Sequence, residues 1–541
     1  MKLIDPIPDP IPESIPESIL DAILGHASAR PAAVAIIDPA GRSLTFGEVG
    51  RRIRATRASL AVAGLKPGDA VFFAVRPGAD ALVLGLAVIS AGGVVVVADP
   101  GAGADLFAAR AELVQAGGGQ AWAAAESLLF ALAASRPIRA AIRRRGLLLP
   151  DFSLLGAAHR VHTGAWLPGT PRGSLSLKKL STGRSPATDA IVTPTSPDAP
   201  AVVIFTSGTT AAPRGVVHTL ATLTAGRTLL QNRLDWQPRD IVHTDQLMLG
   251  LPALAAGATW SLSGLPLKPA TMLRHLRERH ATHVFGTPAD IAKLLNHAPG
   301  QQLPATLRCI LMGAAPVPPA ILRRVLTAAP DAEILSVYGT TEALPIAIAT
   351  AAEKLAHASD GDLLGRPLAG VEVSLGDSGE ILVRGPHVAA RYLSRPSGVG
   401  EPSSPGQPSS PGQLATGDLG RLDSEGRLIL LGRAKDMLIR GSFNLYPGLY
   451  EPAIAALPGV ADCAFVGVPD PETADEVVVL AVVPAAGQDP GALVRRLGGD
   501  LPGIIDTAAC PDRIVAVAAI PQRGRTDKPD RDALRGLVGM S

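Results

Sequence analysis

The hydrophobic positions of this chain alternate between two spacings from about residue 20 to residue 395. Segments with helical periodicity are separated by short strand-like runs such as Ala201–Phe205, Val284–Phe285 and Arg308–Leu311. Alternation of helical and strand-like segments is typical of α/β domains with parallel sheets. We therefore predict an α/β fold with a large N-terminal domain, in which helices flank mostly parallel sheets.

The most apolar stretch of the chain is Ala81–Ala98, which Gly92-Gly93 interrupts. Its first part has helical character and Val94–Val97 has strand character, so a buried helix–turn–strand explains it better than a membrane span. The N-terminus has prolines and acidic residues where a signal peptide needs a basic start and an apolar run. We expect a cytoplasmic protein with no transmembrane segment.

The pattern changes after Gly432. A compact segment follows, in which runs such as Ala464–Val468 and Val477–Val483 alternate with helical stretches. We interpret it as a small mobile α+β domain joined to the rest of the chain at Arg433–Asp436. Ser18 is the expected N-cap of the first helix. The predicted parts are a Pro-rich leader over residues 1–18, an N-terminal domain over 19–432 that includes a flexible low-complexity loop at 396–413, and a C-terminal lid domain over 433–541.

Composition narrows the classes of function. The chain has 541 residues, of which 47% are hydrophobic and 18% charged, and its formal net charge is +2. This length is too great for one hydrophobic core. Basic and acidic residues are mixed, so the basic stripe of a nucleic-acid-binding protein is missing. Because Cys309, Cys463 and Cys510 are far apart, they argue against a disulfide framework and indicate a reducing compartment.

A run of hydroxyl and glycine residues directly follows the strand-like segment Ala201–Phe205. It reads Thr206-Ser207-Gly208-Thr209-Thr210-Ala211-Ala212-Pro213-Arg214-Gly215. Backbone N–H and side-chain O–H groups in such a loop can all point at one anion, which suits the β- and γ-phosphates of ATP. The run is not a Walker A loop, because GxxxxGK[ST] is absent. A polar surface turn is the simpler alternative for a run of this kind.

The same run resembles the phosphate-binding signature of the adenylate-forming superfamily, which includes acyl-CoA synthetases, peptide-synthetase adenylation domains and luciferases. Ala211 stands where glycine is common in that signature, and Arg214 stands where lysine is common. Arginine keeps the positive charge but changes a point charge to a planar fork. The resemblance implies that ATP is bound by Thr206, Ser207, Gly208, Thr209, Thr210, Arg214 and Gly215.

Two further segments resemble the base- and metal-binding parts of that superfamily. The residues concerned are Gly313, Ala314, Ala315 and Pro316, followed by Tyr338, Gly339, Thr340, Thr341 and Glu342. The resemblance implies that Gly313–Pro316 lines the adenine face and that Tyr338 stacks on the purine. It also implies that Thr341 contacts the α-phosphate and that Glu342 helps to hold Mg²⁺. Independently of the resemblance, a hard cation that bridges phosphates prefers a carboxylate oxygen.

The ribose and the reacting carboxylate are assigned in the same way. Asp418 is a suitable acceptor for both ribose hydroxyls, the task that an acid performs in dinucleotide sites. By resemblance, Arg433 also touches the ribose. Lys528 matches the lysine that binds the carboxylate and α-phosphate oxygens during adenylation, although Asp527 and Pro529 depart from the usual neighbours.

The resemblance implies a ligase that proceeds in two steps. An acid attacks the α-phosphorus of ATP, with Lys528, Glu342 and Thr206 as the catalytic residues, and coenzyme A then takes the acyl group after the C-terminal domain rotates about its hinge. By resemblance, the acyl pocket is lined by His283–Pro288, Leu311–Ala314 and the residues after Glu342. An apolar, fatty acid is the expected substrate, and a homodimer is left open.

Two other readings remain open. Gly313–Pro318 and Tyr338–Ile346 also resemble β-lactone synthetases of olefin biosynthesis, which adenylate a β-hydroxy acid and close it on itself without coenzyme A. A degenerate relative that only binds nucleotide is the third reading. The spacing of His275, His280 and His283 does not suggest a metal site, and a surface or supporting role is expected for them.

Overall fold

The computed structural model describes residues 17–97, 104–115, 120–135, 138, 149–150, 152–157, 159–183, 196–206, 214–264, 267–357, 361–393, 412–433, 438–440, 443–445, 447–469, 476–505, 509–523 and 528–539. The first sixteen residues of the predicted leader lie outside this description. So do most of the predicted loop at 396–413 and nearly all of the predicted hinge.

Helices connect most of the strands in the N-terminal part of the chain. Ser18 caps the first helix, because its side chain accepts a hydrogen bond from the backbone N–H of Asp21 at 3.1 Å, which confirms the predicted start. The α-helices are Ile19–Ala29, Phe46–Val62, Ala79–Ser90, Ala104–Gln115, Ser127–Ala134, Leu177–Leu180, Leu220–Leu234, Leu247–Ala255, Pro269–Glu278, Pro288–His297, Pro319–Ala328, Ala351–Ala356, Pro447–Ala455, Pro490–Asp500 and Arg531–Val538, and short 3₁₀ helices lie at Phe152–Leu155 and Leu501–Gly503.

The strands are short and are distributed along the whole described chain. In order they are β1 (Val34–Ile37), β2 (Ser43–Thr45), β3 (Ala70–Ala74), β4 (Val94–Val97), β5 (Ala121–Glu126), β6 (His159–Thr163), β7 (Leu175–Ser176), β8 (Pro200–Thr206), β9 (Arg214–Thr219), β10 (Ile241–His243), β11 (Thr259–Ser261), β12 (His283–Gly286), β13 (Cys309–Gly313), β14 (Glu333–Thr340), β15 (Ala343–Thr350), β16 (Asp362–Pro367), β17 (Glu372–Leu375), β18 (Glu380–Arg384), β19 (Arg391–Leu393), β20 (Gln413–Leu422), β21 (Leu428–Arg433), β22 (Leu438–Arg440), β23 (Phe443–Leu445), β24 (Val460–Pro469), β25 (Glu476–Pro484), β26 (Arg513–Ala516), β27 (Gln522–Arg523) and β28 (Lys528–Pro529).

Two large sheets organise the N-terminal part. The first has the order β17-β18-β20-β21-β16-β15-β14-β13-β12-β10-β11-β1-β2, and its strands are parallel from β14 to β1. The second has the order β19-β9-β8-β4-β3-β5-β6-β7 and is parallel from β8 to β7. These parallel segments, with their helical connections, confirm the predicted fold class. Antiparallel strands extend both sheets, which the strand-like runs in the sequence did not distinguish.

The most apolar stretch lies inside the protein. The helix Ala79–Ser90 packs against β4 and against a hydrophobic core that it shares with the first two helices. Leu84, Val88 and Val96 have no exposed surface. This arrangement confirms the predicted buried helix–turn–strand. Within the residues described above, no helix combines the length and the apolar character that a membrane span requires.

The C-terminal part has hydrophobic cores of its own. β24 and β25 pair in antiparallel fashion, and β26 joins β25 in parallel. One face of this sheet packs against Leu493 and Leu497 of the helix Pro490–Asp500, and the other packs against Leu534 and Val538 of the last helix. A small α+β domain therefore follows the large one, as predicted, while its limits at 433–541 stay a prediction.

Candidate active site

The predicted phosphate loop connects two neighbouring strands. β8 ends at Thr206 and β9 begins at Arg214, and these two residues are paired in the sheet. Because β8 is parallel to β4, its carboxyl end lies at the sheet edge where α/β proteins bind ligands. The loop residues Ser207–Pro213, and the side chains of Thr206 and Arg214, lie outside the described part, so their phosphate contacts stay a prediction.

Gly215 marks a close approach directly behind this loop. A Cβ atom at that position would lie 3.0 Å from Cδ1 of Leu393 and 3.2 Å from Cε1 of Phe205. A larger side chain at this position would press on Leu393 and Phe205, because β9 is covered closely by its two neighbouring strands. The strand that leaves the loop is held in a fixed position.

Glu342 lies in the turn between β14 and β15. Within this turn the Thr340 hydroxyl accepts a hydrogen bond from the backbone N–H of Ala343 at 3.2 Å. The Glu342 carbonyl accepts a bond from the N–H of Ala389 at 2.7 Å, and its side-chain Oε1 accepts a bond from the Tyr392 hydroxyl at 2.9 Å. The backbone of Glu342 is thus fixed by the segment that leads into β19, and its carboxylate is fixed by β19 itself.

The same contacts bring Glu342 next to β9, the strand that follows the predicted phosphate loop. Tyr392 lies in β19, which pairs with β9 in a register that places Tyr392 opposite Val216, two residues after Arg214. A second link is formed by His218 of β9, whose Nε2–H donates to the Thr341 carbonyl at 2.8 Å. His218 is buried, and burial lowers its pKa, which keeps the ring neutral. His218 therefore connects β9 to the turn that carries Glu342.

Asp418 is held by two partners at the other side of the site. Its Oδ2 accepts a hydrogen bond from the Tyr338 hydroxyl at 2.8 Å, and its Oδ1 lies 3.0 Å from Nε of Arg433. Asp418 is 4% exposed, and Asp418 and Arg433 face each other across β20 and β21. Burial, together with the neighbouring carboxylate, raises the pKa of Tyr338 well above its usual value, so the hydroxyl remains a donor. A carboxylate retains further lone pairs for ribose hydroxyls.

The small residues Gly313–Pro316, at the carboxyl end of β13, form a shelf-like surface that is called the step below. A Cβ atom on Gly313 would lie 2.7 Å from the Val337 carbonyl oxygen, so only glycine fits against the neighbouring β14. The next residue, Ala314, has a φ of 66°, and Ala314 and Pro316 are exposed. The step lies beside Tyr338, which is itself almost fully buried. This arrangement suits the edge and face of a flat base.

The residues that are present fit a magnesium–nucleotide complex. No group of three or more His, Cys, Asp and Glu residues that could hold a metal by protein ligands alone occurs among the described residues. Mg²⁺ instead prefers one or two carboxylates completed by phosphate oxygens and water. Glu342 is half-buried and has one carboxylate oxygen held by Tyr392. Oε2 of Glu342 would then be the oxygen that coordinates such an ion.

Lys528 lies in a short hairpin of the C-terminal part. β27 and β28 pair so that Arg523 faces Lys528. The following helix is fixed by Arg531, whose guanidinium forms two hydrogen bonds with Glu451, at 2.7 and 3.0 Å. The side chain of Lys528 lies outside the described part, so its catalytic role stays a prediction.

The sequence did not reveal the hydrogen bond from Tyr392 to Glu342, or the hydrogen bond from Tyr338 to Asp418. Only four tyrosines occur in the 541 residues, and two of them hold the two carboxylates of the site. This rarity was a signal that could have drawn attention to Tyr392. The two histidines His275 and His283, expected at the surface or in a supporting role, are buried, and burial lowers the pKa of each to about 4.

Three residues from the segments predicted to line the acyl pocket pack together, while the pocket itself stays a prediction. Phe285, Leu311 and Leu344 belong to one apolar cluster, and Phe285 lies 3.5 Å from the Cβ position of Gly313. Leu344 follows Glu342 by two residues. Apolar surface therefore lies directly beside the carboxylates of the site.

Comparison with known proteins agrees with this geometry. Residues 25–393 match the family described as AMP-binding enzyme, and residues 450–528 match the AMP-binding enzyme C-terminal domain. A 3-[(3aS,4S,7aS)-7a-methyl-1,5-dioxo-octahydro-1H-inden-4-yl]propanoyl:CoA ligase from Rhodococcus jostii (strain RHA1) is 32% identical over 52% of this chain and 55% of its own length. The chain thus matches about half the length of that relative.

Two other proteins are similar over a larger part of the chain. An olefin beta-lactone synthetase from Xanthomonas campestris pv. campestris is 28% identical over 85% of this chain and 86% of its own length. The structure of amide bond synthetase McbA from Marinactinospora thermotolerans superimposes with a TM-score of 0.74 at 26% identity, covering 95% of this chain and 99% of that chain.

Proposed function

Because the chain belongs to the AMP-binding enzyme family within the adenylate-forming superfamily, we propose that it uses ATP to activate a carboxylic acid as an acyl-adenylate. One observation carries the proposal. The Tyr392 hydroxyl donates to Glu342, and Tyr392 lies in β19, which pairs with β9, the strand after the predicted phosphate loop. The Tyr338 hydroxyl donates to Asp418, and Tyr338 lies in β14, the strand that leads to Glu342. A single cleft can therefore receive phosphates, metal and ribose.

In the proposed reaction the acid attacks the α-phosphorus and pyrophosphate leaves. Both reactants are anions, so the protein has mainly to position them and to neutralise charge. Asp418 and Arg433 orient the ribose, and Thr206 with Arg214 contacts the β- and γ-phosphates. Mg²⁺, when bound, neutralises phosphate charge, and Glu342 supplies its protein oxygen. Lys528 holds the acid carboxylate against the α-phosphate.

We further propose that coenzyme A takes the acyl group from the adenylate. The ligase from Rhodococcus jostii and several other curated relatives carry CoA ligase or CoA synthase names. The apolar cluster beside Glu342 supports an acid with an apolar body, of which a fatty acid is one example. The small C-terminal domain carries Lys528 and would present the thiol after rotating about the hinge.

A second acceptor is supported by a specific observation. The olefin beta-lactone synthetase matches 85% of this chain. In that alternative a β-hydroxyl of the activated acid itself attacks the adenylate, and no thiol is required. The first step and its residues are the same in both cases.

One experiment tests the activation and separates the acceptors. The purified protein is incubated with ATP, Mg²⁺ and a panel of fatty, aromatic and β-hydroxy acids, and acid-dependent ATP–pyrophosphate exchange is measured. AMP release is then measured with and without coenzyme A. Exchange followed by release that requires coenzyme A supports the proposal, whereas release from β-hydroxy acids without coenzyme A supports the lactone.

Two results would contradict the activation itself. One is ATP binding without pyrophosphate exchange for every acid in the panel, which is the behaviour of a binding-only relative. The other is exchange that is unchanged in the Lys528→Ala variant, because removal of one charge-stabilising donor should lower the rate by roughly 10²–10³.

A further inference from the structure

Charge is distributed unevenly along the chain. Over residues 127–188 the sequence contains ten Lys and Arg residues and one acidic residue, Asp151. The net charge of this segment is therefore +9, whereas the whole chain has +2, so the remaining residues together carry −7. Such an asymmetry within one chain indicates a surface that meets a polyanionic partner.

A loop with an apolar tip lies within this basic segment. It follows β6 and reads Gly164-Ala165-Trp166-Leu167-Pro168-Gly169, and each of its six residues is exposed. Trp166 is 53% exposed and Leu167 is 37% exposed. The three other tryptophans of the chain are buried, and these are Trp122, Trp236 and Trp260. The loop therefore carries the one tryptophan that faces solvent.

The backbone holds this tip in place. The Leu167 carbonyl accepts a hydrogen bond from the N–H of Thr170 at 2.9 Å, and the Leu167 N–H donates to the Thr170 hydroxyl at 3.3 Å. That hydroxyl donates in turn to the Ser127 carbonyl at 3.4 Å. A Cβ atom on Gly169 would lie 2.9 Å from Cα of Ala131, so the loop is pressed against the helix that begins at Ser127. A fixed frame thus presents the apolar side chains to solvent.

The helix that begins at Ser127 extends the apolar surface. Leu128 is 49% exposed and lies three residues before Ala131, so both belong to one face of the helix. Ala131 is also the residue that Gly169 approaches. Leu128, Trp166 and Leu167 therefore lie around the same junction of helix and loop, and we call these three residues the apolar patch.

Basic side chains border the apolar patch. Arg172 follows the loop and is exposed. Lys178 and Lys179 are exposed in the short helix after β7, the edge strand that pairs with β6. Burial, and to a smaller extent the nearby charge of Lys179, lowers the pKa of His162 in β6, so Lys179 lies close to the strand that leads into the loop. No acidic residue occurs among residues 159–183, so this border carries one sign of charge.

The patch is separate from the candidate site. β6 is parallel to β5, β3, β4 and β8, so the loop leaves the second sheet at the same edge as the predicted phosphate loop. In the sheet order, four strand spacings separate β6 from β8, which corresponds to about 19 Å. A partner bound at the patch would therefore lie beside the mouth of the site without filling it.

The chemistry of the patch favours a lipid surface over a nucleic acid. Tryptophan prefers the boundary between headgroups and hydrocarbon, and aliphatic side chains gain from burial just below it. Lysine and arginine next to such a tip are attracted to anionic headgroups. A nucleic acid would use the same basic groups, but it would offer Leu128 and Leu167 no apolar environment.

We propose that the apolar patch, with Arg172, Lys178 and Lys179, is a docking surface for a bilayer that contains anionic lipid. The protein binds at the headgroup level, with Trp166 and Leu167 inserted and the lysines on the lipid charges. Docking to a bilayer requires none of the ATP chemistry proposed above.

The test measures binding of the full chain to vesicles of phosphatidylcholine alone and of phosphatidylcholine mixed with phosphatidylglycerol. Cosedimentation should show at least about tenfold tighter binding to the mixed vesicles, and added salt should weaken it. Tryptophan emission should shift to the blue on binding, and Trp166 should account for the shift because the other tryptophans are already buried.

Two variants test the two halves of the surface. Trp166→Ala should lower the affinity for mixed vesicles by roughly tenfold and abolish the emission shift. The double variant Lys178→Glu with Lys179→Glu should lower that affinity by roughly tenfold or more. The matched controls are Leu422→Ser, on an exposed leucine of β20 in the first sheet, and Lys66→Glu, on an exposed lysine before β3 at the opposite edge of the second sheet. Both controls should bind like wild type.

Four results would overturn the docking surface. These are no binding to mixed vesicles, vesicle binding that both patch variants retain, tighter binding to duplex DNA than to mixed vesicles in the same salt, and a blue shift that grows with protein concentration when no vesicle is present. The last would assign the patch to a second copy of this chain. Pyrophosphate exchange without vesicles should be unchanged in the patch variants, so a failure of acid activation is seen separately.

Discussion

At the scale of single residues, two tyrosine hydroxyls hold the carboxylates of the site. Tyr392 donates to Glu342 and Tyr338 donates to Asp418. Each carboxylate is therefore oriented before a ligand arrives, which lowers the cost of ordering it on binding. Because each tyrosine serves a different carboxylate, their effects on the metal and on the ribose can be separated.

Replacing Tyr392 by phenylalanine removes the hydroxyl that orients Glu342 and keeps the ring. A hydrogen bond to a charged group contributes about 1.5–3 kcal/mol. We therefore expect the Mg²⁺ concentration for half-maximal pyrophosphate release to rise by roughly tenfold. At saturating Mg²⁺ the value of kcat should change far less. Initial rates over a Mg²⁺ titration measure both quantities.

The matched control for that variant is Tyr338→Phe, which removes the bond to Asp418 instead. This variant should weaken the preference for ATP over 2′-deoxy-ATP and leave the Mg²⁺ requirement close to that of wild type. If both variants change both properties equally, the hydroxyls only support the fold, and the assignment of Tyr392 to the metal side is wrong.

At the scale of elements, the turn between β14 and β15 carries Thr341 and Glu342, two of the predicted nucleotide contacts. Its geometry depends on Gly339, where a Cβ atom would lie 2.6 Å from Cδ1 of Leu344 and 2.9 Å from the Ala343 carbonyl oxygen. The leucine side chain can move, but the carbonyl belongs to the backbone of the turn. The glycine is therefore required for the close crossing that places Glu342.

Substitution of Gly339 by alanine should open this turn. We expect the free energy of unfolding to fall by about 1–3 kcal/mol, as for other overpacked sites. Nucleotide affinity should fall as well, because Glu342 would move. Urea denaturation and ATP binding measure the two effects.

Gly498→Ala is the control for that substitution. Gly498 is exposed in the helix Pro490–Asp500, and a Cβ atom there meets nothing within 4 Å. Alanine should stabilise the helix by about 0.5–1 kcal/mol. A Gly339→Ala variant as stable as wild type would show that the turn is more adaptable than the close contacts suggest.

At the scale of the whole molecule, buried histidines make stability depend on pH. Burial lowers the pKa of His243 to about 3 and that of His283 to about 4, below the value of about 6.5 in an unfolded chain. Between these values the unfolded chain binds more protons, so the free energy of unfolding falls as the pH drops from about 6.5 towards 4.

The decrease in stability with falling pH can be assigned to a particular histidine. His243 accepts or donates hydrogen bonds with Ser261 and Ser263, and asparagine could keep one of these bonds without titrating. In the His243→Asn variant, the melting temperature should fall less steeply from pH 7 to pH 5 than in wild type. An unchanged slope would mean that His243 does not contribute to acid destabilisation.

The residues predicted for the site come from both parts of the chain. Lys528 belongs to the C-terminal part, whereas Glu342 and Asp418 belong to the N-terminal sheets. Because the two parts have separate cores, we expect Lys528→Ala to lower adenylate formation by roughly 10²–10³ and to leave both calorimetric transitions in place. Loss of a transition would show that the substitution acts through folding.

Local patterns in the sequence were sufficient to predict the α/β class, several of its elements and the candidate chemistry. The cap at Ser18 and the helix and strand on either side of Gly92-Gly93 each depend on neighbouring residues. Hydrophobic spacing and the hydroxyl-rich run before Gly215 therefore indicated an α/β enzyme with an anion loop. The α/β class could be predicted because a helix and a strand have different hydrophobic periods, and a short segment is enough to tell these periods apart.

The tertiary structure alone decided which side chains meet. Tyr392 and Glu342 are 50 residues apart, and Tyr338 and Asp418 are 80 residues apart. Strand order and register create both contacts, and no pattern within one segment encodes them. The sequence thus determined the groups that are available, and the packing of the sheets and helices determined their partners.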